Sequence, residues 1–166
     1  MPLAVTHVLI PIIAVDLFRD HVLKNTRMLT IKYVFLAGLG GLSLDLDLPL
    51  ADFLKYYLGF SIESHRIFFH NIWIPLAFLA AAFIFFTINR KRIFKVSLML
   101  SIGMFFHLML DGFLNGEIFP FYPLSGYMFG LNLIPYIPDF FAGLDAVMLI
   151  LWLYHEELTH KISDFF

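Results

Sequence analysis

A histidine and an aspartate stand four residues apart in HLMLDG, which lies inside an otherwise apolar stretch of the sequence. At positions i and i+4, His107 and Asp111 fall on the same face of a helix. An ionisable side chain in such a segment costs free energy, so its presence indicates a function. Imidazole and carboxylate together suit Zn²⁺, Mn²⁺ or Fe²⁺. The pair therefore predicts two ligands of a divalent metal centre.

Three other motifs contain residues that could complete this centre. They are THVLI near the N-terminus, GGLSLDLD in the second apolar stretch and ESHRIFFH after it. The predicted metal ligands are His7, Asp45, Asp47, His65, His70, His107 and Asp111. We expect this set to hold one to three divalent ions, with zinc first and manganese or iron as alternatives. Such ions activate water for hydrolysis.

The predicted catalytic residues are Asp45, Asp47 and Arg66. Two aspartates separated by one residue cannot face one point from a regular helix, but they can where the helix loosens and ends after Gly40 and Gly41. Either carboxylate could serve as the general base. Arg66 is suited to clamp a phosphate, because a guanidinium binds two phosphate oxygens at once.

The elements that must position these residues are strongly apolar. Of 166 residues, 60% are hydrophobic and 14% are charged, whereas about one-quarter are charged in ordinary soluble domains. Five stretches could cross a bilayer: about 3–18, 28–48, 72–89, 96–114 and 139–154. The sequence predicts an all-α integral membrane bundle of about five spans. We expect one domain, residues 1–166, without cysteine chemistry because the chain has no cysteine.

Two stretches between the spans, 49–71 and 115–138, are rich in proline, glycine and aromatic residues. We expect them to be loops or interfacial segments outside the membrane. Nine of the 11 basic residues lie on the other side of the spans: Arg19, Lys24, Arg27, Lys32, Arg90, Lys91, Arg92, Lys95 and Lys161. The positive-inside rule makes that side cytoplasmic. The N-terminus is then outside and the C-terminus inside.

The topology is inferred from apolar stretches and basic residues alone. It nevertheless brings the predicted ligands together at the outer ends of their spans. Asp145 would lie about two turns inside the fifth span, facing either the metal or a polar cavity. On the cytoplasmic side, five residues are expected to be solvated: His21, His155, Glu156, Glu157 and His160.

The order and spacing of THVLI, GGLSLDLD, HRIFFH and HLMLDG resemble the YdjM-type family, described as LexA-binding, inner membrane-associated, metal-dependent hydrolases. The resemblance implies such a hydrolase here. By position, the family's N-terminal histidine corresponds to His7 and its acidic pair to Asp45 and Asp47. The His-Arg pair and the following histidine correspond to His65, Arg66 and His70. The helical pair corresponds to His107 and Asp111. The chain departs from the family at Leu44, where proline is usual, and in IFFH, where Gly-Phe-Thr-His is usual. The helical pair is also similar to that of zinc-dependent phospholipase C and the S1/P1 nucleases.

A site near the outer surface, walled by phenylalanine and leucine, suits the headgroup linkage of a lipid. We therefore expect cleavage of a phosphoester in a lipid or polyprenyl phosphate at the outer face of the inner (cytoplasmic) membrane. The expected partner is a membrane lipid substrate, with a homo-oligomer as a further option. Nucleic acid is not expected, because the basic clusters are short and fit the topology.

Two other classes of function remain open. The first is a transporter of metal ions or protons, because intramembrane histidine and aspartate also line ion pathways. The fourth span, however, is apolar from Val96 to Phe106 apart from Ser97 and Ser101. The second is a non-catalytic membrane protein with a structural metal, which would lack an open ligand position. Haem is disfavoured because carboxylates surround the histidines.

Overall fold

The computed structural model describes residues 4–24, 29–58, 69–114, 116–135 and 137–161. Its six α-helices are α1 (Ala4–Leu17), α2 (Ile31–Ser43), α3 (Asp47–Leu58), α4 (Trp73–Thr87), α5 (Lys91–Phe113) and α6 (Pro138–His160). A π-helix, Phe18–Leu23, continues α1, and a 3-10 turn, Leu44–Leu46, joins α2 to α3. Over the described ranges, β pairing is limited to the bridge between Ile118 and Phe129. The predicted all-α class is confirmed.

Each of the five apolar stretches in the sequence contains one helix, namely α1, α2, α4, α5 or α6. Among the described helices, α5 alone is long and apolar enough to cross a membrane by itself, with 23 residues. Helix α4 is apolar but shorter, with 15 residues. The five-span arrangement stays a prediction.

Two segments differ from the sequence-based expectation. Residues 49–58 were expected to be loop or interfacial segment and instead belong to helix α3, which begins at Asp47 and exposes Phe53, Tyr56 and Tyr57. The basic run NRKRIFK was expected to be a loop, but helix α5 already begins at Lys91. Its basic side chains therefore occupy the first turns of a helix.

Helix α2 lies between α1 and α5 at the centre of the bundle. Gly41 lies against His7 and Gly38 against Ile12, so α1 and α2 run antiparallel. Gly41 also contacts His107, and Gly40 lies against Leu100. Because residue numbers rise together along α2 and α5, these two helices run parallel.

Glycines allow the backbones of these helices to come into contact. A Cβ atom on Gly41 would overlap the carbonyl oxygen of His7, and one on Gly103 would overlap that of Ala37. Small residues permit such close packing between membrane helices. The predicted end of the helix before the two aspartates is present: Gly40 and Gly41 are themselves helical, α2 ends at Ser43, and the geometry changes in the 3-10 turn Leu44–Leu46.

Helix α6 packs along α1 through polar side chains. Thr6 donates to Asp145, and Trp152 donates to Asp16. The two residues of each pair are separated by nearly the same number of positions, 139 and 136, so α6 runs parallel to α1. This direction brings the end of α6 next to the π-helix that follows α1.

The irregular stretch 116–135 covers the end of α5. Its N–H groups meet the carbonyls that a helix end leaves without partners. The pairs are Leu131 with Gly112, Leu133 with Phe113, and Ile134 with Leu114. The carbonyl of Pro120 accepts from the N–H of Ile72 at 2.9 Å. The stretch therefore ties the end of α5 to the segment that precedes α4.

Candidate metal centre

Four of the predicted ligands meet at one end of the bundle. Asp45 comes from the 3-10 turn after α2, and His70 from the segment before α4. His107 and Asp111 come from adjacent turns of α5. The side chains of His70, His107 and Asp111 are fully buried, and that of Asp45 is 14% exposed. Nε2 of each histidine lies within 3.6 Å of one oxygen of each aspartate.

The distances from the two histidines to the two aspartates are those expected between ligands of one divalent ion. His107 Nε2 lies 3.1 Å from His70 Nε2, 3.5 Å from Asp111 Oδ2 and 3.6 Å from Asp45 Oδ1. His70 Nε2 lies 3.5 Å from Asp45 Oδ1 and 3.6 Å from Asp111 Oδ2. Four ligands about 2.0–2.2 Å from zinc are about 3.3–3.6 Å apart in a tetrahedron. The distances that join each histidine to Asp45 and Asp111 therefore agree with ligand spacing around zinc.

The tautomer of His107 is fixed by the backbone of α2. Its Nδ1 lies 2.6 Å from the carbonyl oxygen of Gly41. A carbonyl only accepts, so Nδ1 carries the proton and Nε2 of the neutral ring presents its lone pair to the site. The Gly41 carbonyl lies in the last turn of α2, where carbonyls lack intrahelical partners. Metal-binding histidines are oriented by such contacts.

Asp47 lies behind His70 and outside this group of four side chains. Its Oδ2 is 3.6 Å from His70 Nδ1, while Nε2 of that ring faces His107. The sequence treated Asp47 as a ligand. The structure instead places its carboxylate at the far side of a ligand, where it would keep the Nδ1 proton in place and direct Nε2 to the ion.

His7 lies beside the same group and faces the outer carboxylate oxygens. Its Nε2 is 3.3 Å from Asp111 Oδ1, and its Nδ1 is 3.5 Å from Asp45 Oδ2. Its ring stacks on that of His107 at 4.0 Å. Among the described residues, neither ring nitrogen of His7 and neither oxygen of Asp111 has a hydrogen-bond partner, although all are buried. Such atoms are costly unless something binds them, and a cation would do so.

A second grouping of ligand atoms shares part of this centre. The ligand atoms of His7, His107 and Asp111 lie within 4.8 Å of one another. His107 can serve only one of the two groupings, because its Nδ1 carries a proton and its Nε2 has a single lone pair. The expected number of ions, one to three, stays a prediction.

Three further candidate residues are not among the four that meet. His65 and Arg66 lie outside the described residues, so their roles as ligand and phosphate clamp stay predictions. Asp145 is buried in α6, where its Oδ1 accepts from Thr6 Oγ1 at 2.7 Å. It attaches α6 to α1 next to His7.

A buried ionic network occupies the opposite end of α1 and α6. The guanidinium of Arg19 lies 2.8 Å from Asp16, 2.8 Å from Asp20 and 3.3 Å from Glu156. His160 lies 2.9 Å from Asp20. The expectation that this side is solvated is wrong for Glu156, which is 5% exposed, because α6 packs against α1 along its length. His21 is exposed as predicted.

This ionic network differs from the metal centre in its charge. The ligand atoms of Asp16, Asp20, His155 and Glu156 lie within 4.8 Å of one another. The guanidinium of Arg19, however, contacts three of them and supplies the positive charge. The spacing of Asp16, Arg19 and Asp20 at i, i+3 and i+4 is the sequence signal that could have found the network.

The sequence matches the YdjM inner membrane protein family over residues 1–163. This match supports the resemblance drawn from the motifs and makes the chain a protein of the inner membrane. LexA binding and similarity to phospholipase C and the S1/P1 nucleases stay predictions. No curated protein and no solved structure matches the chain.

Proposed function

Because the chain belongs to the YdjM inner membrane protein family, we propose that it is a membrane-embedded, metal-dependent hydrolase. The observation that carries the proposal is that Nε2 of both His70 and His107 lies at ligand spacing from the carboxylates of Asp45 and Asp111. Zinc is the proposed ion, because these nitrogen and oxygen atoms match its usual distances. The buried nitrogens of His7 and oxygens of Asp111 make ion-pair contacts but no hydrogen bond among the described residues, which supports a bound cation.

The protein residues have separate proposed roles. A bound divalent ion polarises a phosphoryl oxygen and makes water nucleophilic near neutral pH. The Gly41 carbonyl and Asp47 orient the two histidine ligands. His7 is the proposed proton acceptor, since its ring nitrogens have no hydrogen-bond partner among the described residues. It takes the role that the sequence gave to Asp45 or Asp47, because Asp45 faces the ion and Asp47 faces His70.

The proposed substrate is a phosphoester in a lipid or polyprenyl phosphate. Asp45 is the partly exposed member of the four ligands, so substrate would approach from its side. The proposed arrangement is five spans with the N-terminus and the centre outside and the C-terminus inside. Helix directions support it, because α1 and α6 run one way and α2 and α5 run the other.

A second candidate function is a membrane protein with a structural metal. It is favoured by one observation, which is that two histidines and two carboxylates lie close together, and four protein ligands on one zinc ion would leave no open position. A second ion beside His7 and Asp111 would have fewer protein ligands and open positions. Whether His7 serves catalysis therefore separates the two candidates.

The first experiment measures the metal content of detergent-purified protein by mass spectrometry. We expect about one or more zinc ions per chain, a strong loss in His107→Ala and Asp111→Ala, and no loss in Asp139→Asn, which alters an exposed carboxylate of α6. Asp47→Asn should weaken zinc binding by about 10–100-fold in a chelator competition. Wild-type protein that binds no metal after reloading would contradict both candidates.

The second step measures hydrolysis of lipid phosphoesters by the metal-loaded protein. We expect His7→Ala to retain the enclosed ion and lose hydrolysis by a factor of about 10²–10⁴, as for a lost general base. If wild-type protein holds its metal but cleaves no lipid phosphoester, the structural-metal candidate would replace the hydrolase.

A further inference from the structure

The cytoplasmic half of the bundle, as predicted, contains two adjoining cavities of different character. The first has a volume of about 460 Å³ and is almost entirely apolar. It lies between α1 with its π-helix, the residue Leu29 shortly before α2, and α5, and its lining also includes Val15, Leu98 and Phe106. Lys95 is the charged residue in its described lining.

The second cavity, of about 510 Å³, is lined by three basic side chains, Lys32, Arg92 and Lys95. No acidic residue is among its described lining residues. Lys95 belongs to both cavities, so the apolar and basic spaces meet at this side chain. Its ammonium also lies over the ring of Tyr33, 5.3 Å from the centroid, which holds α5 against α2 at this point.

The positive charge of this cavity is not offset by the helices that carry it. Lys32 lies in the first turn of α2, and Arg92 lies in the first turn of α5. These helices run parallel and begin at the same end. A helix N-terminus is the positive end of the peptide dipoles, which favours acidic rather than basic residues. An anion between the three basic side chains would relieve this repulsion.

We propose that these cavities form a binding site for an anionic phospholipid. The phosphate headgroup would lie between Lys32, Arg92 and Lys95, and an acyl chain would enter the apolar cavity beside Lys95. The chain is an inner membrane protein, and basic pockets between helices on the cytoplasmic side suit anionic headgroups. A free phosphate would satisfy the basic cavity and leave the apolar one empty, so a lipid fits both.

This site is separate from the metal centre. Lys95 and His107 are both in α5, and 12 residues of helix span about 18 Å. The lipid bound here would therefore be a resident lipid of the other leaflet and not the proposed substrate. The test of this lipid site therefore depends neither on metal binding nor on hydrolysis.

The experiment titrates delipidated, detergent-purified protein with phosphatidylglycerol or phosphatidylcholine and counts bound lipid by native mass spectrometry. We expect wild-type protein to prefer phosphatidylglycerol by about tenfold or more. The triple variant Lys32→Gln, Arg92→Gln, Lys95→Gln should lose this preference. A matched variant, Arg90→Gln, Lys91→Gln, Lys161→Gln, removes three charges from outside the described lining and should keep it.

Two further arms test the acyl chain. Ala14→Phe places a large side chain in the apolar cavity and should weaken phosphatidylglycerol binding by about tenfold or more, with thermal unfolding used to verify that the variant folds. Displacement of lipid by millimolar inorganic phosphate, with no effect of Ala14→Phe, would overturn the lipid and leave a simple anion pocket. Equal binding of both lipids, or a triple variant equal to wild type, would overturn the site itself.

Discussion

Glu156 is a single carboxyl whose surroundings make the stability of the protein depend on pH. Burial, together with the neighbouring carboxyl of Asp16, raises the pKa of Glu156 to about 7, against the pull of His160 and Arg19. Burial would also raise the pKa of Asp20, but hydrogen bonds from Arg19 and His160 outweigh it and lower that pKa. Within one network, the two carboxyls therefore favour opposite protonation states.

The raised pKa predicts the direction of the pH effect. The folded protein holds the Glu156 proton up to about pH 7, whereas the unfolded chain releases it near its ordinary value of 4.5. Stability from this group is full below pH 4.5 and falls as pH rises to about 7. We expect the free energy of unfolding to drop by about 1–2 kcal/mol over this interval.

Glu156→Gln tests this effect because its amide cannot titrate. The difference in thermal stability between wild type and variant should change between pH 5 and 8, in favour of the variant at high pH. Asp139→Asn, at an exposed position of α6, should track wild type at every pH. A pH profile that Glu156→Gln leaves unchanged would refute the assignment.

Single residues also show how far the sequence could predict the site. His107 and Asp111 were predictable as a pair because i and i+4 spacing on a helix is local. The separate positions of Asp45 and Asp47 were not, because they depend on a short 3-10 turn whose leucines have no distinctive signal. The burial of Glu156 depends on α6 docking along α1, which is a contact between residues 137 positions apart.

At the scale of elements, glycines set the distance between the central helices. Gly103→Ala would place a methyl group against the carbonyl of Ala37 and the backbone of Gly40 and Gly41. The neighbour is backbone and cannot rotate away, so α5 must move from α2. We expect a loss of about 1–3 kcal/mol in unfolding free energy, as for overpacked cores. Thermal unfolding in detergent measures it.

The same shift should also disturb the metal centre, since His107 lies one turn beyond Gly103 and contacts Gly41. Zinc affinity should therefore fall with stability. Gly143→Ala is the matched control, because a methyl group there meets no atom of the described residues within 4 Å. It should be neutral or stabilising by up to about 1 kcal/mol. Equal effects of the two variants would show that close packing is not the cause.

Some helices were predicted correctly and others were not, and the difference has a physical reason. The five apolar helices were found because each contains a long apolar stretch. Helix α3 was missed because its sequence mixes proline, aspartate and aromatic residues. The start of α5 was predicted five residues late. Residues 91–95, which include three basic side chains, were assigned to a loop but form the first turn of the helix.

For the whole molecule, the polar groups are divided between the two ends of the bundle. The metal centre gathers carboxylates and histidines at one end, and the proposed lipid site gathers basic residues at the other. The predicted topology places the metal centre outside and the basic cavity inside. Orientation therefore decides which leaflet supplies the proposed substrate.

Cysteine labelling can test this orientation cleanly because the chain has no cysteine of its own. Lys55→Cys lies in exposed α3 near the metal centre, and Lys91→Cys lies at the exposed start of α5. With a maleimide that cannot cross the inner membrane, we expect Lys55→Cys to react in cells with a permeabilised outer membrane. Lys91→Cys should react only after the inner membrane is opened, and the wild-type chain should not react. The reverse pattern would place the metal centre at the cytoplasmic face, where its substrate would be a lipid of the inner leaflet.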